Sequence, residues 1–444
     1  MANAAEREHI ARRVLELSRA DQTEVLISWA DNALTRFAHE ASNQNLAASD
    51  SVISVRAIAG GRTGVAQTNR FDDDALRDVA ERARAMAGHA PQDPLQGPLP
   101  AAAPVQAPAG AFDALTAQTG PEQRGQMCEA IFSQAEGAGY WAAGFVANSS
   151  MGFTVANTTG TAASFDGTDA AVNVKMTAYD STGFAEGYAN AVATLDARDI
   201  AQTAAGKARA SAEPDSVDPG TWTVILEPAA FGELFAYLGS HFSAQSYDEG
   251  SSFCSEGLHR PYFSENVTVR DDYAHALAPG MPFDFEGHPT QRLDLIERGV
   301  AQAIVTDSYY ARKLDRANTG HALPAPNAYG PQARNLVVAE GSKPLAQLIA
   351  ETQRGLLVTR LWYVRTVDQK RAIVTGMTRD GTFLIENGAR VRGVRNMRFN
   401  VSILDLLQNC EFSSEQKRTG SYHYSLVVPA AKMSAFTFTS VTAF

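Results

Sequence analysis

A strand-to-helix junction in the middle of the chain constrains the fold more than any other stretch. Val224, Ile225 and Leu226 are apolar and follow a Pro-Gly break, which predicts a buried strand. Pro228 then suits the first turn of a helix, where its missing N–H costs nothing. Apolar residues at spacings of three and four give this helix one buried face: Phe231, Leu234, Phe235 and Leu238.

The predicted helix reaches His241, three residues beyond Leu238. A protonated imidazole at a helix C-terminus interacts favourably with the helix dipole. We therefore interpret His241 first as a structural histidine at the end of this helix. The second interpretation is a metal ligand.

Two breaks divide the chain. Residues 91–120 are rich in proline and alanine and poor in large apolar side chains, which indicates an extended crossing segment. Residues 213–220 contain Pro214 and Pro219 and mark a boundary. The sequence thus predicts an α+β module over 1–90, the crossing segment, a middle α+β region over 121–212 and a β-rich C-terminal domain over 220–444.

The first two regions show alternating helix and strand patterns. Residues 5–20 predict an amphipathic helix, 23–29 a strand, and 51–68 a hairpin that turns at Gly60-Gly61. Asp72, Pro121 and Asp196 each predict a helix start. Between the helices that start at Pro121 and Asp196 the sequence is typical of β-strands, with turns expected at 148–152, 157–160 and 166–167.

The second half is mostly strand-like, so the predicted fold class is α+β with a hairpin and β-meander in the N-terminal half and a β-rich C-terminal half. Residues 355–364 and 371–377 predict strands, and 378–381 predict a tight turn into the strand 382–385. The tail alternates aromatic and small residues over 422–428 and 435–441, which predicts two more strands.

Composition excludes several classes of function. The 444 residues are 45% hydrophobic and 20% charged, which suits a globular chain. A net charge of −11 argues against nucleic-acid binding. We find neither an apolar run of membrane length nor the apolar core of a signal peptide, and expect a cytoplasmic protein. Cys128, Cys254 and Cys410 are far apart and suggest neither a disulfide framework nor a structural zinc site.

Two further groups of polar residues are candidates for a substrate cleft. Asp284 and Glu286 are two apart and would share one face of an extended segment, where paired carboxylates can do acid/base or metal work. Their surroundings, bounded by Gly and Pro, favour solvated carboxylates instead. His321 ends a turn that begins at Asn318, and a structural role is the favoured interpretation.

Several short stretches follow one another in a specific order. They are 53–64, Asp284-Phe-Glu-Gly287 with Pro289, Gly299-Val300, Thr319-Gly-His321, Asn335-Leu336, 355–359, 384–388 and Arg398-Phe-Asn400. Their order and spacing resemble the TldD/PmbA family, also called TldD/TldE or modulator of DNA gyrase, and the resemblance extends from about residue 21 to the end of the chain.

This resemblance implies a cytoplasmic peptidase assembly of two related chains. The TldD-type chain has a helix of the form His-Glu-x-x-x-His and a cysteine nearer the C-terminus. Two imidazoles and a thiolate hold zinc there, and the glutamate takes a proton from the zinc-bound water. The PmbA/TldE-type chain lacks that motif and completes the chamber.

The corresponding helix of this chain matches the motif at one position only. Ala236 and Tyr237 stand where the first histidine and the glutamate are expected, and His241 matches the last ligand. Residues 421–424, Ser-Tyr-His-Tyr, stand where the cysteine is expected, and Cys410 comes too early. Catalytic zinc needs about three protein ligands. The resemblance therefore implies a PmbA/TldE-like chain with no catalytic residues and no cofactor of its own.

We therefore expect a non-catalytic subunit that pairs with a zinc-bearing TldD-type chain, or with itself, and acts on peptides without nucleic acid or membrane. The aromatic tail residues Phe436, Phe438 and Phe444 are candidates for the dimer interface. The opposing hypothesis is a self-contained metallopeptidase whose metal is held by His241, His321, His423 or the Asp284/Glu286 pair.

Overall fold

The computed structural model describes residues 3–420 and 425–442 of the chain. It contains a six-stranded antiparallel sheet in the N-terminal half and an eleven-stranded mixed sheet in the C-terminal half. The predicted α+β class, with a β-rich second half, is confirmed. Among the described residues, no helix has both the length and the apolar character needed to cross a membrane.

The N-terminal half builds its sheet in the order β3-β2-β1-β4-β5-β6. The predicted hairpin and helix starts are present. Asp72 accepts a hydrogen bond from the Ala75 N–H, Pro121 begins α4, and Asp196 caps α5. The elements are α1 (Ala4–Leu17), β1 (Gln22–Ala38), β2 (Ala41–Ala59), β3 (Arg62–Thr68), α2 (Asp73–His89), α3 (Ala114–Gln118), α4 (Pro121–Ala138), β4 (Trp141–Asn157), β5 (Ala162–Thr177), β6 (Thr182–Ala189) and α5 (Ala197–Ala210).

Alternation along the strands gives this sheet two different faces. Val25, Ile27 and Val55 point to one face and pack with α1 and α2 in one apolar cluster. Leu26 and Phe153 point to the other face and pack with residues of the C-terminal half, such as Phe283. The sheet is therefore covered by helices on one side and by the C-terminal half on the other.

The C-terminal half is organised by β17, the longest strand of its sheet. Strand pairings run from β17 through β15, β13, β12 and β7 and return to β17, so this circuit is closed. The elements are β7 (Gly220–Leu226), α6 (Pro228–Phe235), α7 (Ala244–Asp248), β8 (Val269–Asp271), β9 (Leu293–Glu297), β10 (Val300–Ala301), α8 (Ser308–Lys313), β11 (Asn335–Val338), α9 (Leu345–Ala350), β12 (Arg354–Asp368), β13 (Ile373–Glu386), β14 (Ala389–Gly393), β15 (Met397–Ser402), α10 (Ile403–Leu406), β16 (Cys410–Thr419) and β17 (Ser425–Val441).

The predicted strand-to-helix junction is present as β7 and α6, but the helix differs at its end. The α-helical hydrogen bonding stops at Phe235, and the chain tightens into a 3₁₀ turn, Ala236–Phe242. The predicted apolar face is fully buried and forms part of the largest core cluster. His241 therefore lies in the 3₁₀ turn rather than in an α-helix.

Several predicted turns are wrong because long antiparallel pairing overrides local turn signals. Residues 148–152 lie inside β4, 166–167 inside β5, and 378–381 inside β13. The turn at 157–160 is present between β4 and β5. The described part of the tail forms one strand, β17, and residues 421–424 lie outside the described residues.

The crossing segment 91–120 is extended apart from α3 and lies on the first sheet. The Leu99 N–H donates to Gln22 Oε1, and the Pro100 carbonyl accepts hydrogen bonds from Asn157 and Thr161. The limits proposed for the four domains stay predictions.

We predict that Gly183→Ala destabilises the N-terminal half. A Cβ at this β6 position would lie 2.1 Å from Ala204 O and 2.3 Å from Ala208 N of α5, so the helix must shift. We expect a loss of about 1–3 kcal/mol in the free energy of unfolding, measured with urea.

Gly206→Ala in the same helix is the matched control. Apart from the backbone of its own helix, no atom lies within 4 Å of the added Cβ, and alanine should stabilise the helix by up to about 1 kcal/mol. Equal effects of the two substitutions would contradict the close packing of α5 on β6.

Candidate functional site

The outward face of α6 lines a cleft of about 440 Å³. The facing wall comes from β6 and from the ends of β16 and β17. The lining residues are Glu186, Tyr188, Ala229, Gly232, Glu233, Ala236, Tyr237, Thr419, Gly420 and Leu426.

Helical spacing explains which residues of α6 and of the 3₁₀ turn after it reach the cleft. The five lining positions of this segment, 229, 232, 233, 236 and 237, recur at three and four, so they share one face. Gly232 allows β16 to lie close to the helix, because a Cβ there would be 2.4 Å from Thr419 Oγ1. The phenol of Tyr237 donates a hydrogen bond to the Val364 carbonyl, 2.7 Å away, and ties the turn to β12.

A carboxyl and a phenol lie side by side on the β6 wall. Tyr188 Oη donates to Glu186 Oε2 at 3.3 Å. Burial raises the pKa of Glu186, and the nearby Arg360 guanidinium opposes this shift. Arg360 is held in place over the Phe184 ring, 4.2 Å from its centroid. The cleft therefore offers a carboxyl group that holds its proton more tightly than an exposed glutamate, with hydrogen-bonding phenols beside it.

His241 does not line this cleft. Its side chain is fully buried and stacks on Phe253, with 5.2 Å between ring centroids. Nδ1 accepts a hydrogen bond from the Phe253 N–H at 3.3 Å, and Nε2 has no partner. Burial lowers the pKa of His241 to about 4, so the imidazole is neutral at pH 7. The predicted interaction of a protonated imidazole with the helix dipole is therefore wrong.

Asp284 and Glu286 are buried, so the prediction of solvated carboxylates is wrong. Asp284 accepts hydrogen bonds from the backbone N–H groups of Glu286, His288 and Ala322, which close a loop around it. Burial and the adjacent Glu286 carboxylate raise the pKa of Asp284.

Glu286 joins the two halves of the molecule. Its Oε1 lies 3.0 Å from Nη1 of Arg56 on β2, and its Oε2 accepts the Ser308 N–H. Arg56 also pairs with Glu24 on β1. The Arg56 guanidinium holds the pKa of Glu286 below its usual range although burial opposes this. Glu286 also lines a cavity of about 690 Å³ at the junction, whereas Asp284 does not.

His321 lies in the same loop region but not in the α6 cleft. It is buried, with Nδ1 2.9 Å from Thr319 Oγ1 and Nε2 3.4 Å from Asp271 Oδ1. This geometry orients the imidazole by two short-range polar contacts. The three residues expected in a substrate cleft therefore lie at or near the junction of the two halves and not beside α6.

The described residues do not fit the zinc site that the family resemblance implies. Of the cleft-facing residues of α6, only Glu233 carries a zinc-ligating group, whereas a catalytic zinc takes about three protein ligands. Residues 3–420 and 425–442 contain no group of three His, Cys, Asp or Glu side chains placed to hold a metal.

The candidate ligands near the C-terminus do not change this result. Cys410 is buried at the start of β16, where its thiol donates to the Leu407 carbonyl, and it does not line the cleft. His423 lies outside the described residues.

The sequence did not identify Glu186, Tyr188 or Glu233. Glu186 and Tyr188 lie two apart on β6, which is a strand spacing that places both on one face, but nothing local indicates what the face meets. Glu233 could be found by reading the polar face of the predicted helix, four residues before Tyr237.

We predict that His241 makes stability fall at mildly acidic pH. Its pKa is about 4 in the folded chain and about 6.5 when exposed, so the unfolded state binds the proton first. The contribution of this residue to the free energy of unfolding is fully present above pH 6.5. As the pH falls from 6.5 to 4, this free energy decreases by about 1.4 kcal/mol per pH unit.

The measurement is the free energy of unfolding against pH for wild type and His241→Gln, which keeps an acceptor for the Phe253 N–H. The wild-type curve should be steeper. His259→Gln, at an exposed histidine, is the control. Parallel curves for wild type and His241→Gln would mean that the imidazole is not buried.

A second prediction tests which residues share the cleft face. Ala236→His with Tyr237→Glu should raise zinc affinity, because the new side chains join Glu233 on one face. Adding His241→Gln should leave that affinity unchanged, since His241 faces the core. Zinc titration of the wild type and both variants tests this. A loss of affinity in the triple variant would place His241 in the cleft.

Family models match two parts of the chain. Residues 219–440, half of the sequence, match the PmbA/TldA metallopeptidase C-terminal domain, and residues 16–87 match the PmbA/TldA metallopeptidase domain 1. The crystal structure of TldE from Thermococcus kodakarensis has the same fold, with a TM-score of 0.88 and 20% identity over 99% of this chain and 100% of that one.

Two curated relatives match over part of their length. Metalloprotease PmbA of Escherichia coli O157:H7 is 28% identical over 180 residues, which are 40% of this chain and 37% of that protein. The Metalloprotease PmbA homolog of Haemophilus influenzae is 28% identical over 190 residues, 42% of this chain and 39% of that protein. The family models match at both ends of the shared fold, and the chain belongs to the TldD/PmbA family.

Proposed function

We propose that this chain is the non-catalytic, TldE/PmbA-like subunit of a cytoplasmic zinc metallopeptidase that acts on peptides or unfolded segments. The observation that carries this proposal is the chemistry of the α6 cleft. Its helix face presents Ala229, Gly232, Glu233, Ala236 and Tyr237, which supply a single carboxylate and neither imidazole nor thiolate. A face of this composition cannot activate a water molecule through zinc.

The cleft nevertheless suits an extended peptide. Glu186, Tyr188 and Glu233 supply hydrogen-bonding groups along an open groove, and Ala229, Ala236 and Leu426 supply small apolar contacts. Main-chain amides and carbonyls of a peptide could pair with these groups. In the proposed assembly the chain therefore shapes the substrate chamber while its partner performs the hydrolysis.

The proposed partner is a TldD-type chain with an intact His-Glu-x-x-x-His helix, which would supply the zinc. The family membership of this chain supports such a partner, and the similar solved structure is itself described as TldE. A homodimer is the other possible assembly. The tail aromatics do not support an interface at this position, because Phe436 and Phe438 are buried in the core. Phe444 lies outside the described residues.

The alternative is a self-contained metallopeptidase, and the name that both curated relatives carry, metalloprotease, favours it. Its metal would come from His241, His321, His423 or the Asp284/Glu286 pair. His241 and His321 are buried in separate places, and Asp284 and Glu286 are bonded to backbone N–H groups and to Arg56. The geometry therefore favours the subunit role.

We predict that the purified chain neither retains zinc nor cleaves peptides, and that a complex with a TldD-type chain does both. Zinc is measured by elemental analysis, peptide cleavage by mass spectrometry, and assembly by light scattering, for each chain alone and for the pair. A stable interface should bury on the order of 1,200 Å² or more, which resists dilution to micromolar concentration.

The control replaces the motif glutamate of the partner by glutamine. This complex should still assemble and hold zinc but lose about 10²–10⁴-fold in cleavage rate, the usual contribution of a general base. Zinc held tightly by the present chain alone, with peptide cleavage, would overturn the subunit proposal and establish the alternative.

A further inference from the structure

A separate cavity of about 330 Å³ lies where the first sheet meets the C-terminal half. Its lining differs from that of the α6 cleft, although β16 contributes to both. Arg418 lines this cavity and the next residue, Thr419, lines the cleft. Gln67 and Pro324 line the cavity and are exposed, so it reaches the surface.

The floor of the cavity is the inner face of the first sheet. Ser28 lies opposite Val52 on β2 and opposite Phe153 on β4, and Leu26 lies opposite Ser54. Directly opposite residues share a face, so these side chains form one continuous surface. The floor therefore alternates apolar groups with small hydroxyl groups.

The opposite wall carries a guanidinium group with few partners. Arg334 lies over the Phe285 ring, 4.9 Å from its centroid. Its Nη2 reaches the Phe283 carbonyl only at 3.5 Å, and its buried Nε has no partner. No aspartate or glutamate is among the described residues that line the cavity. The positive charge of Arg334 is therefore not compensated within it.

Two more residues that line the cavity carry a buried donor without a partner. The Arg418 side chain is 3% exposed, and its Nη groups bond to Asn190 and Asp169, which leaves its Nε without a partner. The Ser425 hydroxyl is also buried and unpartnered. Buried donors without an acceptor cost free energy, and the oxygens of a ligand would satisfy them.

We propose that this cavity binds a small apolar monocarboxylate. One uncompensated guanidinium matches one negative charge, and its forked N–H groups match the two oxygens of a carboxylate. Leu26, Phe153 and Met281 provide an apolar surface for the rest of the ligand. Phosphate would call for more positive charge or a helix N-terminus. The carboxylate can belong to a free acid or to the last residue of a peptide.

The first experiment measures binding of N-acetyl-L-leucine and of N-acetyl-L-leucinamide by isothermal titration calorimetry. The acid should bind. The affinity of the amide should be lower by about tenfold or more, because a hydrogen bond to a charged group is lost. The tripeptide Gly-Gly-Leu distinguishes the two sources. If Gly-Gly-Leu binds more tightly than N-acetyl-L-leucine, the natural ligand is the C-terminus of a peptide. If it binds more weakly, the natural ligand is a free acid. Equal affinity for the acid and the amide, or no binding of either, overturns the proposal.

The variants Arg334→Met and Ser28→Leu should each weaken binding of the acid by about tenfold or more. The first removes the cation, and the second fills the floor without removing a charge. Ser28→Leu decides the outcome if Arg334→Met does not fold.

Arg316→Met is the matched control, because Arg316 is exposed and lies over Tyr247, outside this cavity. Unchanged affinity in folded Arg334→Met or in Ser28→Leu overturns the proposal, as does an equal loss in the control. None of these readouts involves zinc or peptide cleavage, so the result does not depend on whether the chain is catalytic.

Discussion

Burial of the inner face of α6 is the interaction on which the C-terminal half depends. Phe231, Leu234, Phe235 and Leu238 are fully buried, and each contributes about 1.5–3 kcal/mol from apolar surface removed from water. They pack inside a sheet whose strand pairings close from β17 back to β17. This burial holds the helix in its observed orientation, which decides which residues line the cleft.

The first sheet is fixed to that half by buried ion pairs as well as by apolar contacts. Arg56 on β2 pairs with Glu286, and Arg418 on β16 pairs with Asp169 on β5. Removing one partner of a buried pair typically costs about 3–5 kcal/mol, because the other charge is left uncompensated. The two pairs fix how the sheet face meets the loops of the second half. The cavities at this junction therefore lie between surfaces that these ion pairs hold together.

Sequence patterns predicted the elements that local chemistry determines. The junction of β7 and α6, the cap at Asp72 and the proline start of α4 follow from residues close in the chain. The predictions that were wrong concern residues whose contacts lie far away in the sequence. Asp284 and Glu286 were predicted to be solvated because the residues around them are typical of a turn. Arg56, which pairs with Glu286, is 230 positions away in the sequence. Residues 378–381 form part of a strand because β12 pairs with β13 at positions 378, 379 and 382.

The position of His241 shows the same limit within the candidate site. A regular helix would keep Ala236, Tyr237 and His241 in a constant angular relation, but the chain tightens at Ala236 and the imidazole enters the core beside Phe253.

The two faces of α6 experience separate constraints. The inner face makes most of the core contacts, so the exposed Glu233 can change with little effect on folding, whereas Ala236 and Tyr237 also pack against the core and Tyr237 bonds to β12. A metal-binding outer face and the present one are therefore compatible with one fold, and fold similarity alone cannot decide between catalysis and binding. In the function that we propose, the polar groups of this cleft form hydrogen bonds with a peptide.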